Sequence, residues 1–504
     1  MAKLSWRCGG QSGECPAEAG ATLMDALRAA RAPLDFPCGG KGRCGKCRVA
    51  ASGALSVPEE EERRLLEGAP EGTRLACLAR VLGDCRAELP GAERMRIAEN
   101  FTAGNEPLRP LYAGAYGAAF DIGTTTVVGY LFARERREPL AVLGETNRQG
   151  RCGADVLSRI EYAASHSPDT LRELICGQLA DMLRALCARA SVAPEAVGGL
   201  CVTGNTTMLH LAAGLDPYPL SQAPFRPASL FGGTERLRLP GFEGLEAYLP
   251  RCISAYVGAD ITCSILASGI MRDRGNLLLV DAGTNGEMAL RTDGRLLCCA
   301  TAAGPAFEGA GISCGSGAVD GAVSAVRLRG GAYECGVIGG GPARTICGSG
   351  LIDAMACALR AGASDWRGRV RRGVIPIDGP VSLTQRDVRE LQLAKGAVRA
   401  GMDTLVEAAG LTYGEIDRLV FCGGFGSFLH PDTAAEIGLI PAELCGRTVA
   451  LGNAAGTGAG RILQSRSLIA EADGIAGTAR VVELSTSKSF QTRYIRSMNF
   501  PRPE

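Results

Sequence analysis

Four cysteines are the residues best equipped for chemistry. Cys38, Cys44 and Cys47 stand on one loop, Pro37-Cys38-Gly-Gly-Lys-Gly-Arg-Cys44-Gly-Lys-Cys47, with five and then two residues between successive thiols, and Cys77 follows in Leu75-Ala76-Cys77. Three thiols on a glycine-rich loop and a fourth from a distance is how a four-thiolate iron–sulfur cluster is held, although the plant-type spacing is one residue shorter in the first gap. Gly39, Gly40, Gly42 and Gly45 suit such a loop, which needs positive φ angles and backbone N–H groups turned towards sulfur. Structural zinc is the competing use, but zinc is usually held by two separated Cys-x-x-Cys knuckles, and here only Cys44 and Cys47 form one.

A second pattern occurs twice. Ala118–Ile122 runs into Gly123-Thr124-Thr125-Thr126 and continues as Val127–Phe132; Asn276–Val280 runs into Asp281-Ala-Gly283-Thr284-Asn285-Gly286-Glu287 and continues as Met288–Leu290. Both read as strand, Asp-x-Gly-Thr turn, strand, and one alone would be an ordinary hairpin. Two further motifs repeat in the same order. A glycine turn followed by a histidine occurs at Gly204–His210 and Gly423–His430, and a Gly/Ala/Asn helix start at Val257–Asp260 and Gly452–Gly458. The chain is therefore duplicated, with insertions in its second half chiefly between Gly286 and Gly423.

This duplicated α/β unit resembles the ribonuclease-H-like, two-lobed ATPases of the acetate kinase, sugar kinase, heat-shock chaperone and actin superfamily (ASKHA). The resemblance implies that Gly123, Thr124, Thr125 and Thr126, with Gly283, Thr284 and Asn285, cradle phosphates. It implies that Asp121 and Asp281 hold Mg²⁺ through water, and that Gly423, Gly424 and Gly426 form the adenosine-side turn. Tight strand–helix packing is the plainer explanation of those glycines. In Asn147–Ile160, Asp155 is expected to orient the attacking water with Gln149 assisting, while helix-start chemistry explains Asp155 almost as well. The turn Cys347-Gly348-Ser349-Gly350 either lines the nucleotide pocket or opens a helix.

The cysteine loop needs elements to position it. Thr22–Arg31 has helical periodicity, and Leu4–Cys8 and Lys46–Ala50 read as short strands. With the loop and the late Arg74-Leu-Ala-Cys77, this resembles the β-grasp 2Fe-2S ferredoxin fold, an α+β unit; Cys8, Cys15 and Cys85 fall outside its pattern. The expected organisation is a ferredoxin-like domain over 1–82, a linker over 83–117, a first ASKHA lobe over 118–272, a second with insertions over 273–470, and a tail over 471–504 that packs on the ATPase.

A 2Fe-2S domain joined to such a body is similar to the ATP-dependent reductive activators of corrinoid proteins. The motifs are Asp121–Thr126, Asn147–Ile160, Gly204–His210, Asp281–Glu287, Ala303–Gly311 and the tail from Val482-Glu-Leu-Ser485 to Phe500-Pro501. The resemblance implies a 2Fe-2S cluster, ATP and Mg²⁺ as cofactors, and reduction of Co(II) to Co(I) in a cobalamin-binding protein of a methyltransferase system. It also implies an electron-donating reductase, ferredoxin or flavodoxin, and suggests a homodimer. Two departures stand out. The linker runs straight into the first hairpin where longer relatives carry an extra domain, and Gly315-Ser316-Gly317 stands where relatives have Gly-Met-Arg. The rivals are an activator of another metalloenzyme, such as a radical dehydratase, and a redox sensor with a degenerate ATPase. The fused cluster loop argues against the first and the intact Asp turns against the second.

Composition sets the bounds. The 504 residues carry 54 Lys+Arg against 53 Asp+Glu, a net charge of +1, which gives no footprint for nucleic acid. No run approaches the ~18 apolar residues of a membrane span, and the N-terminus lacks a signal-peptide core, so a cytoplasmic location is expected. The 21 cysteines are scattered over a long chain, as suits a reducing compartment. Three histidines are too few for histidine-rich metal sites or Ser-His-Asp chemistry.

Overall fold

The structure is a computed structural model and describes residues 2–9, 11–30, 32–34, 36, 40–42, 45–67, 69–90, 101–423 and 429–502. Strands β1 (Ala2–Cys8) and β2 (Gln11–Ala17) form an antiparallel hairpin. Helix α1 (Leu23–Ala29) starts at Thr22, whose hydroxyl accepts from the Asp25 N–H at 3.1 Å while the Asp25 carboxylate accepts from the Thr22 N–H at 3.1 Å. It buries Leu23, Ala26 and Leu27 against the sheet. Then β3 (Arg48–Leu55), α2 (Glu60–Leu65), β4 (Thr73–Leu75) and β5 (Val81–Glu88) complete a sheet of order β2-β1-β5-β3-β4, in which β1 and β5 are parallel neighbours. This is the expected β-grasp. Strand β5 runs past residue 82, the expected domain boundary, because Val81, Cys85 and Ala87 alternate into the core across Gly83-Asp84, which reads as a break. Cys8, Cys15 and Cys85 also lie in this core. Burial raises the thiol pKa of Cys15 and Cys85.

The duplication is visible in the two large sheets. In the first, β6 (Tyr116–Ile122), β7 (Thr126–Ala133) and β8 (Ala141–Thr146) form an antiparallel meander. The chain passes through α3 (Val156–Ser165) and α4 (Pro168–Arg189) to β9 (Val197–Gly204), parallel to β6. After α5 (Thr206–Ala213) come β10 (Gly233–Glu235), β11 (Ala247–Leu249) and α6 (Ala259–Ser268), giving the order β10-β11-β9-β6-β7-β8.

The second unit repeats the meander in β12 (Leu277–Ala282), β13 (Asn285–Thr292) and β14 (Arg295–Ala302). It then inserts β15 (Ala322–Arg329), β16 (Ala332–Val337), β17 (Thr345–Ile346), α7 (Gly348–Arg360), β18 (Val374–Asp378) and β19 (Val381–Thr384). Helix α8 (Gln385–Ala409) leads back to β20 (Arg418–Cys422), parallel to β12. The remainder is α9 (Pro431–Glu436), β21 (Thr448–Ala450), α10 (Ala454–Gln464), α11 (Leu468–Thr478), β22 (Ala479–Val481) and α12 (Lys488–Met498). The order is β21-β20-β12-β13-β14-β22. The inserted elements lie where the motif spacing requires them, between Gly286 and Gly423. The expected start of the tail, residue 471, falls within α11.

Helices α6 and α10 cross between the sheets and join the two units. A Cβ at Gly458 would lie 2.2 Å from the Cys263 carbonyl oxygen, so only glycine allows this approach. Tyr130 and Val128 from one sheet, Leu279 and Val420 from the other, and Ile261, Ile265 and Ile462 from the crossing helices form one shared core. Residues 101–115 brace it from behind. Phe101 packs edge-on to Phe132 at 5.1 Å, and the Glu106 carboxylate accepts from Arg272 at 2.7 Å and from Arg461.

Helix α8 shows why the second lobe holds together. Thr384 and Asp387 form a capping box, Gly410 closes the other end at φ +74°, and Val388, Leu391, Ala394, Val398, Met402 and Leu405 recur every three or four residues on the buried face. Truncating Leu391 or Leu405 to Ala would cost about 2–5 kcal/mol. Lys395 lies on the same face, only 1% exposed, and its Nζ donates to the carbonyl oxygens of Ser497 at 2.5 Å and Asn499 at 2.6 Å. The tail is thereby fixed to the lobe, with Phe500 buried beneath it.

Candidate functional site

The cysteine site is carried by turns flanking β3 and β4. Cys47 lies just before β3 and Cys77 just after β4; the Ala76 N–H donates to the Cys47 carbonyl at 2.9 Å. Their buried sulfurs are 3.3 Å apart, near enough for two thiolates to share one iron. Gly40, Gly42 and Gly45 have φ of +85°, +70° and +65°, the loop conformation that wrapping a cluster requires. Cys38 and Cys44, with Gly39, lie outside the described residues. Soft thiolates on a glycine-rich turn fit an iron–sulfur cluster.

The cluster loop rests on the ATPase body. Lys46 Nζ donates to the Ile312 carbonyl at 2.6 Å, Lys41 pairs with Glu161 at 3.3 Å, and Arg28 Nε donates to the Arg151 carbonyl at 3.1 Å. Ile312 belongs to the second unit and the other two partners to the first, so the ferredoxin-like domain touches both.

Between the units, the two Asp-x-Gly-Thr hairpins meet tip to tip. The Gly123 N–H closes the first by donating to Thr126 O at 2.9 Å, and the Gly283 N–H the second by donating to Asn285 O at 2.8 Å. The Thr125 and Thr284 hydroxyl oxygens are 3.1 Å apart. Thr124 and Thr126 flank the first tip; the Thr124 hydroxyl accepts from Asn205 Nδ2 at 3.2 Å.

Each hairpin aspartate is held by the crossing helix of the opposite unit. Asn453, which caps α10, donates to Asp121 at 2.9 Å, and Ser264 of α6 donates to Asp281 at 3.1 Å. Asp260 and Glu287 complete a crowd of acids. Burial, reinforced by Asp260 and Asp281, pushes Asp121 up to about 8. Burial and Asp281 push Asp260 up to about 7. Burial pushes Asp281 up to about 6, against the lowering effect of Ser264 and Cys422. Burial, then Asp260 and Asp281, raises Glu287 well above the ordinary carboxylate range. A divalent cation among these acids would relieve their mutual repulsion, and this donor set fits Mg²⁺. Among the described residues no three His, Cys, Asp or Glu side chains converge on one ion.

Gly423 has φ +108°, and a Cβ there would lie 2.5 Å from the Ala282 carbonyl and 3.0 Å from the Asp281 carboxylate. It therefore borders the second hairpin directly. Gly424 and Gly426 lie outside the described residues.

Two expectations about Asn147–Ile160 need correction. Asp155 is exposed and caps α3, its carboxylate accepting from the Ser158 N–H at 2.7 Å. Gln149 is fully buried; Nε2 donates to Leu171 O at 2.9 Å and Oε1 accepts from Arg159 at 3.3 Å, so neither end is left to orient water. The segment instead supports the first hairpin from behind. Asn147 Nδ2 donates to Gly123 O at 2.8 Å, and Arg159 Nη2 to Thr124 O at 2.5 Å. Likewise Cys347–Gly350 opens α7, with Gly348 and Gly350 pressed against the carbonyls of Phe307 and Val323.

The residue missed at this site is Glu308. Its carboxylate accepts from Thr125 Oγ1 at 2.6 Å and from Thr284 Oγ1, bridging the two hairpins. The only signal was its place within the Ala303–Gly311 motif. Asn453 and Asp260 were missed similarly, although both lay in the third repeated motif.

Comparison with known proteins agrees with this geometry. The family model for a 2Fe-2S iron-sulfur cluster binding domain matches residues 8–82, that of the RACo middle region residues 116–273, and that of the C-terminal domain of RACo, the ASKHA domain, residues 275–504. The first lobe of the sequence analysis is thus the part matched as the middle region. The chain is 32% identical over 454 residues to the corrinoid activation enzyme RamQ of Eubacterium limosum, covering 82% of this chain and 75% of that one. It is 26% identical to the [Co(II) methylated amine-specific corrinoid protein] reductase of Methanosarcina barkeri, over 76% of this chain and 77% of that one. A solved reductive activator for corrinoid, iron-sulfur protein superposes with a TM-score of 0.75 at 27% identity, covering 100% of this chain and 99% of that one. With its cluster loop, paired phosphate hairpins and these relatives, the chain belongs to the family of ATP-dependent reductive activators of corrinoid proteins.

Proposed function

We propose that this chain uses ATP to drive one-electron reduction of a corrinoid protein from Co(II) to Co(I). The observation that carries the proposal is the position of the ferredoxin-like domain, which touches both units through Arg151, Glu161 and Ile312 and so would be affected by a change in their spacing. A 2Fe-2S cluster supplies single electrons when bound, and Cys47 and Cys77, with Cys38 and Cys44, are its proposed ligands. The hairpins, through Gly123–Thr126 and Gly283–Asn285, bind the phosphates, Asp121 and Asp281 orient Mg²⁺, and the turn from Gly423 through Gly424 and Gly426 borders the adenosine. Nucleotide binding stabilises one lobe arrangement, and a corrinoid protein that prefers that arrangement is made easier to reduce.

The proposed partners are a corrinoid protein of a methyltransferase system and a reductase, ferredoxin or flavodoxin that reloads the cluster, with the chain acting as a homodimer. We place it in the cytoplasm. No helix among the described residues is long and apolar enough to cross a membrane, and the 21 cysteines are scattered over a long chain, as suits a reducing compartment. The test is anaerobic spectroscopy of the cluster-loaded protein with a Co(II) corrinoid protein and a reductant. Co(I) should form only with Mg-ATP, and Cys47→Ala or Asp281→Asn should abolish it. Cluster reduction and ATP hydrolysis without Co(I), across several corrinoid proteins, would count against the proposal.

A further inference from the structure

Glu308 is placed with unusual care for a residue in a short turn. Pro305–Glu308 is a single 3-10 turn between Gly304 at φ +80° and Gly309 at φ +77°, and Phe307 anchors it at 1% exposure. A Cβ at Gly309 would lie 2.2 Å from Ser316 O, so the loop that follows is drawn tightly back over the turn. The carboxylate is thus held at the meeting point of the hairpin tips, where Thr125 and Thr284 both donate to it.

A threonine hydroxyl has one proton to donate. While both hydroxyls donate to Glu308, neither can donate to a phosphate, so a terminal phosphate seated between the hairpins must take both donors away. The freed carboxylate is then an acceptor beside a phosphoryl group, and water is the donor able to satisfy it. Burial favours the same role, raising the Glu308 pKa although both threonines lower it. Asp155 stands exposed at the start of α3 and Gln149 is buried against Leu171 and Arg159, whereas Glu308 lies where the two hairpin tips meet.

Resting on the ATPase reading above, we propose that Glu308 is the general base of ATP hydrolysis, exchanging its two threonine donors for the attacking water. The water oxygen bonds to the terminal phosphorus, its proton passes to the Glu308 carboxylate, and the bond to the bridging oxygen breaks with its electron pair leaving on ADP. The proton returns to solvent when phosphate departs.

The test uses the full cluster-loaded chain as wild type, Glu308→Gln and Glu308→Ala. Mg-ATP affinity is read from a ribose-labelled fluorescent analogue, and chemistry from single-turnover hydrolysis. Glu308→Gln should bind Mg-ATP as tightly as wild type or more so, and hydrolyse it roughly 10²–10⁴-fold more slowly. Glu308→Ala should recover part of its rate in added formate, which a purely structural role would not produce. Hydrolysis by Glu308→Gln within about threefold of wild type would overturn the proposal, as would a parallel loss of affinity and rate with no formate rescue. A wild-type chain that neither binds nor hydrolyses ATP would instead remove the ATPase reading on which the proposal stands.

Discussion

Lys46 Nζ lies 2.6 Å from the backbone oxygen of Ile312, which joins the residue beside Cys47, a proposed cluster ligand, to the loop that follows Glu308. Replacing Lys46 with Met removes a charged donor from this contact, about 1.5–3 kcal/mol, enough to lower the docking equilibrium constant about ten- to a hundredfold. Electron paramagnetic resonance of the reduced cluster should change on adding Mg-ATP to wild type and much less for Lys46→Met, at equal iron content and nucleotide affinity. Equal responses in the two proteins would rule this contact out as the connection.

Asp155→Ala separates capping from catalysis. Loss of the bond to the Ser158 N–H should lower unfolding free energy by about 1 kcal/mol in chemical denaturation. ATP hydrolysis should stay within about twofold of wild type, because the carboxylate is already committed to the helix. A large fall in hydrolysis with unchanged stability would return Asp155 to the catalytic role.

The crowded acids give a pH-dependent response to Mg²⁺. Asp121, Asp260 and Asp281 have folded values of about 8, 7 and 6, above their unfolded values, so the folded state holds protons that the unfolded state releases. Stability therefore falls as pH rises from the ordinary carboxylate range through that window. A cation offsets the repulsion only when the acids are ionised. The gain in melting temperature on adding Mg²⁺ should accordingly be larger near about pH 9 than near about pH 5, and Asp121→Asn should reduce the difference. A gain independent of pH would contradict this account.

Glu106 behaves in the opposite sense. Burial would raise its pKa, but hydrogen bonds from Arg272 and Arg461 overcome that and hold it at about 2. Its contribution is complete above the unfolded carboxylate value and is lost as pH falls towards 2. Glu106→Gln takes the paired acid from the largely buried Arg461, while Arg272 keeps Glu471 at 2.6 Å, at a cost on the order of 3 kcal/mol. Chemical denaturation at neutral pH should show that loss, and the variant's stability should depend less on pH between about 4.5 and 2.

Much of this was legible because certain residue types have few alternatives. Glycines beside cysteines, and glycine–threonine turns after an aspartate, mark backbone conformations that serve sulfur or phosphate, and their repetition revealed the paired lobes. What stayed hidden was three-dimensional convergence. Glu308 lies 183 residues from Thr125, and Asn453 lies 332 from Asp121, so nothing local links them. Asp155 and Gln149 misled for the converse reason. Polar residues near a motif invite a chemical role, yet helix ends and buried turns need hydrogen bonds equally, and only the partners at each atom distinguish the two.

Lys395 reads the tail through two main-chain oxygens rather than through side chains. Any residue can supply a carbonyl, so positions 497 and 499 are free to drift over evolutionary time as long as the backbone path is kept. Lys395 has no such latitude, since no other side chain combines its reach with a compact amine that donates to both oxygens. The invariance needed to keep the tail in place is thus concentrated in a helix about a hundred residues upstream.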